Sequence, residues 1–92
     1  MADFIGNTST TATMTASNIA SFIVSFSLAN KTGGSINASV GLVNGSTFYV
    51  LYNKSISTGD SYVYSGNEIL IPRNYSLYIS VSGDCDYVFN IK

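Results

Sequence analysis

Hydrophobic residues fall on every second position through most of this chain. Phe22, Val24, Phe26 and Leu28 alternate with Ser21, Ile23, Ser25 and Ser27, the signature of an extended strand with one face buried. Ile36, Ala38, Val40 and Leu42 repeat the pattern against Asn37, Ser39 and Gly41, and Asn44-Gly45 follows. Both turn residues tolerate the positive φ of a type I′ turn, so a hairpin is predicted whose return strand covers residues 47–52. Residues 54–57, 61–64 and 68–71 read as three short strands, separated by Thr58-Gly59-Asp60 and Ser65-Gly66-Asn67. Pro72 ends the last of them because proline donates nothing to a ladder. Tyr75, Leu77, Ile79 and Val81 form another alternating set, and Tyr87, Phe89 and Ile91 close the chain after Gly83-Asp84. No segment carries the 3.6 period of an amphipathic helix.

Seven or eight strands with a turn every few residues predict an all-β domain: a single antiparallel β-sandwich, Ig-like or jelly-roll-like, over residues 19–92. Residues 1–18 differ. After Phe4-Ile5 the segment is rich in Thr and Ser and offers little to bury, so it reads as an extended N-terminal arm. Such an arm is either disordered in isolation or ordered as a strand added to a neighbour's sheet.

The 92 residues make one domain with a modest core, since a chain of this size hides only roughly 60–65% of the surface its unfolded form exposes. Charged residues are only 10% of the chain and the net charge is −1, against about 25% charged in ordinary soluble domains. Little charge repulsion opposes association, which points to a module packed into something larger, with a homo-oligomer expected. The four basic residues, Lys31, Lys54, Arg73 and Lys92, are scattered, so no nucleic-acid surface is expected. No apolar run is long enough to span a bilayer as a helix. The first residues lack the basic start and continuous apolar stretch of a secretory leader, so synthesis in the cytoplasm is the expectation.

Candidate chemistry is sparse. The chain has no histidine, which removes imidazole-based nucleophile activation and histidine metal ligation together. Cys85 is the single cysteine, excludes an intrachain disulfide, and reads as a structural thiol. Of the five carboxylates, Asp60 sits where a turn wants an aspartate. Asp84 and Asp86 are two apart, so an extended backbone points both the same way, as two ligands of a cation such as Ca²⁺ would need; turn chemistry is the competing reading. No catalytic residues, cofactor or metal are expected. Six Asn-X-Ser/Thr triplets occur, read as a by-product of composition, because glycosylation needs a secretory route. Seven tyrosines and five phenylalanines leave room for an interface, since an aromatic ring buries apolar area and a phenol keeps a polar partner. The candidate interface residues are Phe4, Ile5, Tyr49, Tyr62, Tyr64 and Tyr78; the competing reading has the tyrosines filling cross-strand positions within the sandwich.

One run of features has a counterpart elsewhere. Leu28-Ala29-Asn30-Lys31-Thr32 and Gly33-Gly34 lead to Val40-Gly41-Leu42-Val43, Asn44-Gly45-Ser46 and Tyr49-Val50-Leu51; later come Lys54 to Gly59, Ile69-Leu70-Ile71-Pro72 and Leu77 to Val81. Over residues 19–92 this order resembles the small β-sandwich structural proteins of tailed bacteriophages, of the capsid-decoration, auxiliary-capsid or head-fibre kind. Pro72-Arg73-Asn74 departs from the pattern, standing where a glycine turn is common. The resemblance implies a place in the virion, contacts with the major capsid or other virion proteins, and no enzymatic activity. It supplies no functional residues. Two readings result: an auxiliary capsid or decoration protein that stabilises the shell, and a receptor- or glycan-binding module of a tail or head fibre.

Overall fold

The computed structural model describes residues 3–14 and 20–92. These form eight strands and no helix: β1 (Asp3–Thr8), β2 (Thr11–Met14), β3 (Ser21–Asn30), β4 (Ile36–Asn44), β5 (Thr47–Ile56), β6 (Ser61–Ile71), β7 (Ser76–Val81) and β8 (Cys85–Ile91). They build two antiparallel four-stranded sheets packed face to face, sheet A in the order β1-β8-β3-β6 and sheet B in the order β2-β7-β4-β5. The pairs β1·β8, β2·β7, β3·β6 and β4·β5 nest inside one another, as if one long hairpin closed at the β4–β5 turn had been wrapped around a core. That is the jelly-roll arrangement, and it decides between the two sandwich types left open by the sequence.

The core follows the alternation. Ile36, Ala38, Val40 and Leu42 of β4, Leu77, Ile79 and Val81 of β7, and Cys85, Phe89 and Ile91 of β8 are all buried, as their period of two requires. At the centre, the Phe26 ring lies 5.2 Å from that of Phe89 and 5.3 Å from Tyr64, joining β3, β8 and β6 by aromatic packing.

Three strands depart from the expected pattern. In β3 the register slips between Ile23 and Ser25 against both β6 and β8. Val24 is the extra residue against β8, and a bulge of this kind reverses the face of everything before it. Phe26 and Leu28 therefore point inward as expected, but so does Ile23, while Phe22 is turned outward. The short strands at 61–64 and 68–71 are one strand, β6. Gly66-Asn67-Glu68 is not a turn but the segment opposite Val24, with Gly66 at φ 139, and the Tyr64 hydroxyl donates 2.6 Å to the Asn67 carbonyl across it. The strands at 47–52 and 54–57 likewise merge into β5. The β4–β5 turn is centred one residue later than expected: Asn44 pairs with Thr47, and only Gly45 of the two central residues has a positive φ, 64, the pattern of a type II′ turn. Where a glycine turn was missing, Asn74 takes φ 70, a conformation its short polar side chain tolerates.

The N-terminal segment is extended, and it pairs within its own molecule. β1 covers the β8 edge of sheet A and β2 the β7 edge of sheet B, so the chain starts by supplying one outer strand to each sheet. Residues 1–2 and 15–19, which include the expected boundary at 18/19, lie outside the described residues.

Candidate functional site

Sheet B carries the most distinctive surface. Its four strands hold a single charged residue, Lys54. Lys54 pairs with buried Ala38 on the interior side, its ammonium 5.3 Å from the centre of the Tyr62 ring. The outer face of the sheet is therefore free of formal charge. It presents Thr11 and Thr13 from β2, Tyr78 and Ser80 from β7, Asn37 and Ser39 from β4, and Phe48 and Val50 from β5.

Gly41 shapes this face. It pairs with Tyr78 on one side and Val50 on the other, and a Cβ there would overlap the Tyr49 carbonyl and stand 2.9 Å from Cε2 of Tyr78. With no side chain in the way, the Tyr78 ring lies down across β4. Phe48 closes over it edge-to-face, centroids 5.0 Å apart at 88°. Tyr78 is consequently only 3% exposed although it points away from the core, and that burial pushes its phenol pKa up. Beside this aromatic pair opens a shallow groove of about 350 Å³ lined by Thr11, Ser39, Phe48, Val50, Tyr78 and Ser80. Its hydroxyls are loosely committed: Thr11 Oγ1 is 3.3 Å from Ser80 Oγ, and Ser39 Oγ is 3.3 Å from Asn53 Oδ1, long for O–H···O bonds. Each keeps capacity for an outside partner.

The edge beside the groove is equally unusual. Phe48, Tyr49, Val50 and Leu51 are 54%, 50%, 59% and 39% exposed, four consecutive large apolar residues at the turn end of an outer strand whose one charge, Lys54, lies nearer its other end.

The expected interface residues are scattered. Ile5 is 79% exposed on the outer face of sheet A, and Phe4 is half-buried against the core. Tyr49 lies at the rim of sheet B, on the interior side, its ring 6.2 Å from Tyr75. Tyr62 and Tyr64 point into the sandwich rather than away from it, where they flank Phe26 together with Tyr52. Phe48, Val50 and Leu51 were not among the expected residues; the signal for them is the break in alternation, four apolar residues in succession.

Carboxylate and thiol chemistry is committed elsewhere. Asn7 Nδ2 donates to Asp84 Oδ1 at 2.7 Å and to Asp86 Oδ1 at 2.8 Å, and Lys31 lies 3.6 Å from Asp86 Oδ2, so the pair ties β1 to the start of β8. Asp3 accepts from the Ile91 N–H, Asp60 from the Ser61 N–H, and Glu68 from Lys92. All five carboxylates thus serve bonds within the fold. Among the described residues no three His, Cys, Asp or Glu converge as a metal-ligand set. Cys85 is fully buried, and desolvation, with Asp86 and Asp84 nearby, raises its thiol pKa against a lowering hydrogen bond from the Ala29 backbone, leaving it a poor nucleophile.

One titration has a readable consequence. The Tyr52 and Tyr64 rings pack 4.9 Å apart, and because the Tyr64 proton goes to Asn67, the Tyr64 oxygen faces Tyr52 as an acceptor. Interaction with that acceptor, burial and the neighbouring phenols raise the Tyr52 pKa to about 12 from 10.0. A folded-state pKa above the unfolded one gives stability that is complete below the unfolded value and disappears as pH rises through the folded one. Between about pH 10 and 12 the wild type should lose more stability than Tyr52→Phe, measured by urea unfolding at stepped pH. Equal slopes would show that the Tyr52 proton is not held by the fold.

No protein-family model matches the chain, and neither curated proteins nor solved structures show a match to it.

Proposed function

We propose that this chain is a non-enzymatic structural module of a tailed-phage particle, an auxiliary capsid or decoration protein that docks on the shell through the uncharged outer face of sheet B. The observation that carries this reading is the face itself: four strands wide, without formal charge, with an aromatic patch and loosely bonded hydroxyls. Apolar area at the centre and polar groups that find partners at the rim are what a protein–protein contact uses. The absence of histidine and the structural use of every carboxylate support a non-catalytic role. The jelly-roll topology agrees with the sequence resemblance, since capsid proteins use it often, but fold alone does not assign function. A decoration protein acts by mass action: binding the assembled shell and not its loose subunits favours the shell.

The groove beside Tyr78 favours a second reading, a receptor- or glycan-binding module, because aromatic faces beside hydroxyls suit a sugar. Sedimentation separates the two. The protein should co-sediment with heads of the phage that encodes it and raise their disassembly temperature. Ser39→Lys and Ser80→Lys, each placing a desolvated charge on the docking face, should abolish both effects without changing the melting temperature of the free domain by more than a few degrees. Binding to host polysaccharide and not to heads would overturn the decoration reading in favour of the second.

A further inference from the structure

We infer that β5 pairs antiparallel with β5 of a second copy, joining two sheets B into one continuous eight-stranded sheet around a twofold axis through Tyr49. Four edges are exposed to such pairing, and three are guarded. The β6 edge is distorted at Gly66-Asn67-Glu68 and carries Glu68; the β1 edge carries Asp3, and β2 is only four residues long. Charge, irregularity and shortness are the usual protections of sheet edges. From Thr47 to Val50, β5 carries no charge and keeps an unbroken register against β4, its one irregularity being the extra residue Leu51 at the end of that span.

The register follows from the turn. Asn44 and Thr47 flank a two-residue loop, so they exchange backbone hydrogen bonds, and the alternation of an antiparallel ladder makes Leu42·Tyr49 the next hydrogen-bonded pair. The N–H and C=O groups of Phe48 and Val50 therefore point to the free edge. With the axis at Tyr49, Phe48 of one copy faces Val50 of the other, and both residues' free groups are satisfied, twice by symmetry. An axis at Phe48 or Val50 uses only one of the two. The same register sets an aromatic ring against a β-branched side chain on the outer face, a favourable cross-strand pair. No charge of either sign is brought together.

The apolar side chains of Phe48 to Leu51 contribute on the order of 400 Å² per copy, about half of what one partner gives a standard interface. The dimer is accordingly concentration-dependent rather than obligate. It would double the uncharged outer face, but it does not rest on the virion reading.

Sedimentation equilibrium on the full-length chain tests the dimer without any particle. The expected result is a monomer–dimer equilibrium, with the Phe48 and Val50 amides slow to exchange in concentrated samples and fast in dilute ones. Val50→Pro removes an N–H that the register aims at the free edge, and Val50→Lys puts a charge on that edge. Val50→Pro should raise the dissociation constant on the order of tenfold or more, as loss of the two Val50 N–H bonds across the axis implies, and Val50→Lys should raise it similarly by setting a desolvated charge against the partner's Phe48 in each copy. Circular dichroism should stay that of the wild type for at least the lysine variant, which decides the matter if the proline variant unfolds. A chain still monomeric at about 1 mM, a dimer indifferent to both folded variants, or a dimer whose Phe48 and Val50 amides exchange freely would each overturn the pairing. Ser39 and Ser80 lie on the inner strands β4 and β7, away from the β5 edge, so their lysine variants should dimerise normally, and failure of shell docking leaves this result unchanged.

Discussion

Gly41→Ala should destabilise the domain by on the order of 3 kcal/mol, at the upper end of what a single overpacked methyl costs. For a domain of this size that corresponds to a fall in melting temperature of more than about 10 °C. The reason is local. β4 and β5 change register between Val40 and Gly41, with Leu51 as the extra residue on β5, and the bulge brings the Tyr49 carbonyl against Gly41. A methyl group there meets backbone, which cannot rotate aside, and on its other flank the Tyr78 ring. Relief requires opening the ladder of the central strand or lifting Tyr78 out from under Phe48, and either breaks up the outer face of sheet B. Gly33→Ala is the matched control, because a Cβ at Gly33 has nothing within 4 Å; its change should stay within about 0.5 kcal/mol. Similar melting of the two variants would mean that β4 and β5 do not approach in this way.

The alternation of β4, β7 and β8 was legible because each runs between two neighbours with one face on the core. Period two then maps directly onto burial, and Leu77, Ile79 and Val81 are buried as read. In β3 the same rule failed at one residue: Val24 adds no letter that distinguishes a bulge from a regular strand, yet it turns Ile23 inward and Phe22 outward. Ser65-Gly66-Asn67 resembles a turn in composition, but long-range pairing of β6 with β3 carries the strand through it, as pairing with β4 carries β5 through Asn53. The Thr-rich start offered no core pattern because β1 and β2 are outer strands, and an outer strand needs fewer inward side chains.

The candidate surface was less legible than the fold. Tyrosine was a sound type to look for, but the sequence does not say which sheet edge is free. Tyr62 and Tyr64 turn inward because β6 fills the open side of the sandwich against Phe26. Tyr78 is outward but covered, since its exposure depends on Gly41 and Phe48 from other strands. Phe48-Tyr49-Val50-Leu51 carried a readable signal, an apolar run without alternation. Such a run usually means a strand buried on both faces, and only the strand order shows that this one is an edge.

Asn30→Asp should be among the most damaging single-atom changes available in this chain. Asn30 is 5% exposed, and its Nδ2 lies 2.8 Å from the Gly34 carbonyl, 3.0 Å from that of Ile56 and 3.1 Å from that of Ser57. Its Oδ1 accepts from the Thr32 N–H and hydroxyl, both at 2.8 Å. One amide thus fastens the end of β3 to the following loop and to the end of β5, across the two sheets. Aspartate keeps the acceptor and replaces the donor with a second oxygen facing three carbonyls. Losing the bonds to those buried acceptors costs roughly 3 kcal/mol or more, and burying the charge adds to it. The pH dependence identifies the cause. Carbonyl repulsion and desolvation favour the protonated acid, so the introduced carboxyl has a folded pKa above its unfolded value of about 3.9. A raised folded pKa means that stability is greatest below the unfolded value and falls as pH rises through the folded one. The variant should therefore recover stability relative to wild type as the solution is acidified from neutrality towards about pH 4, followed by thermal melts. A deficit that stays constant over that range would place the damage in lost packing and not in the carboxylate's encounter with the three carbonyls.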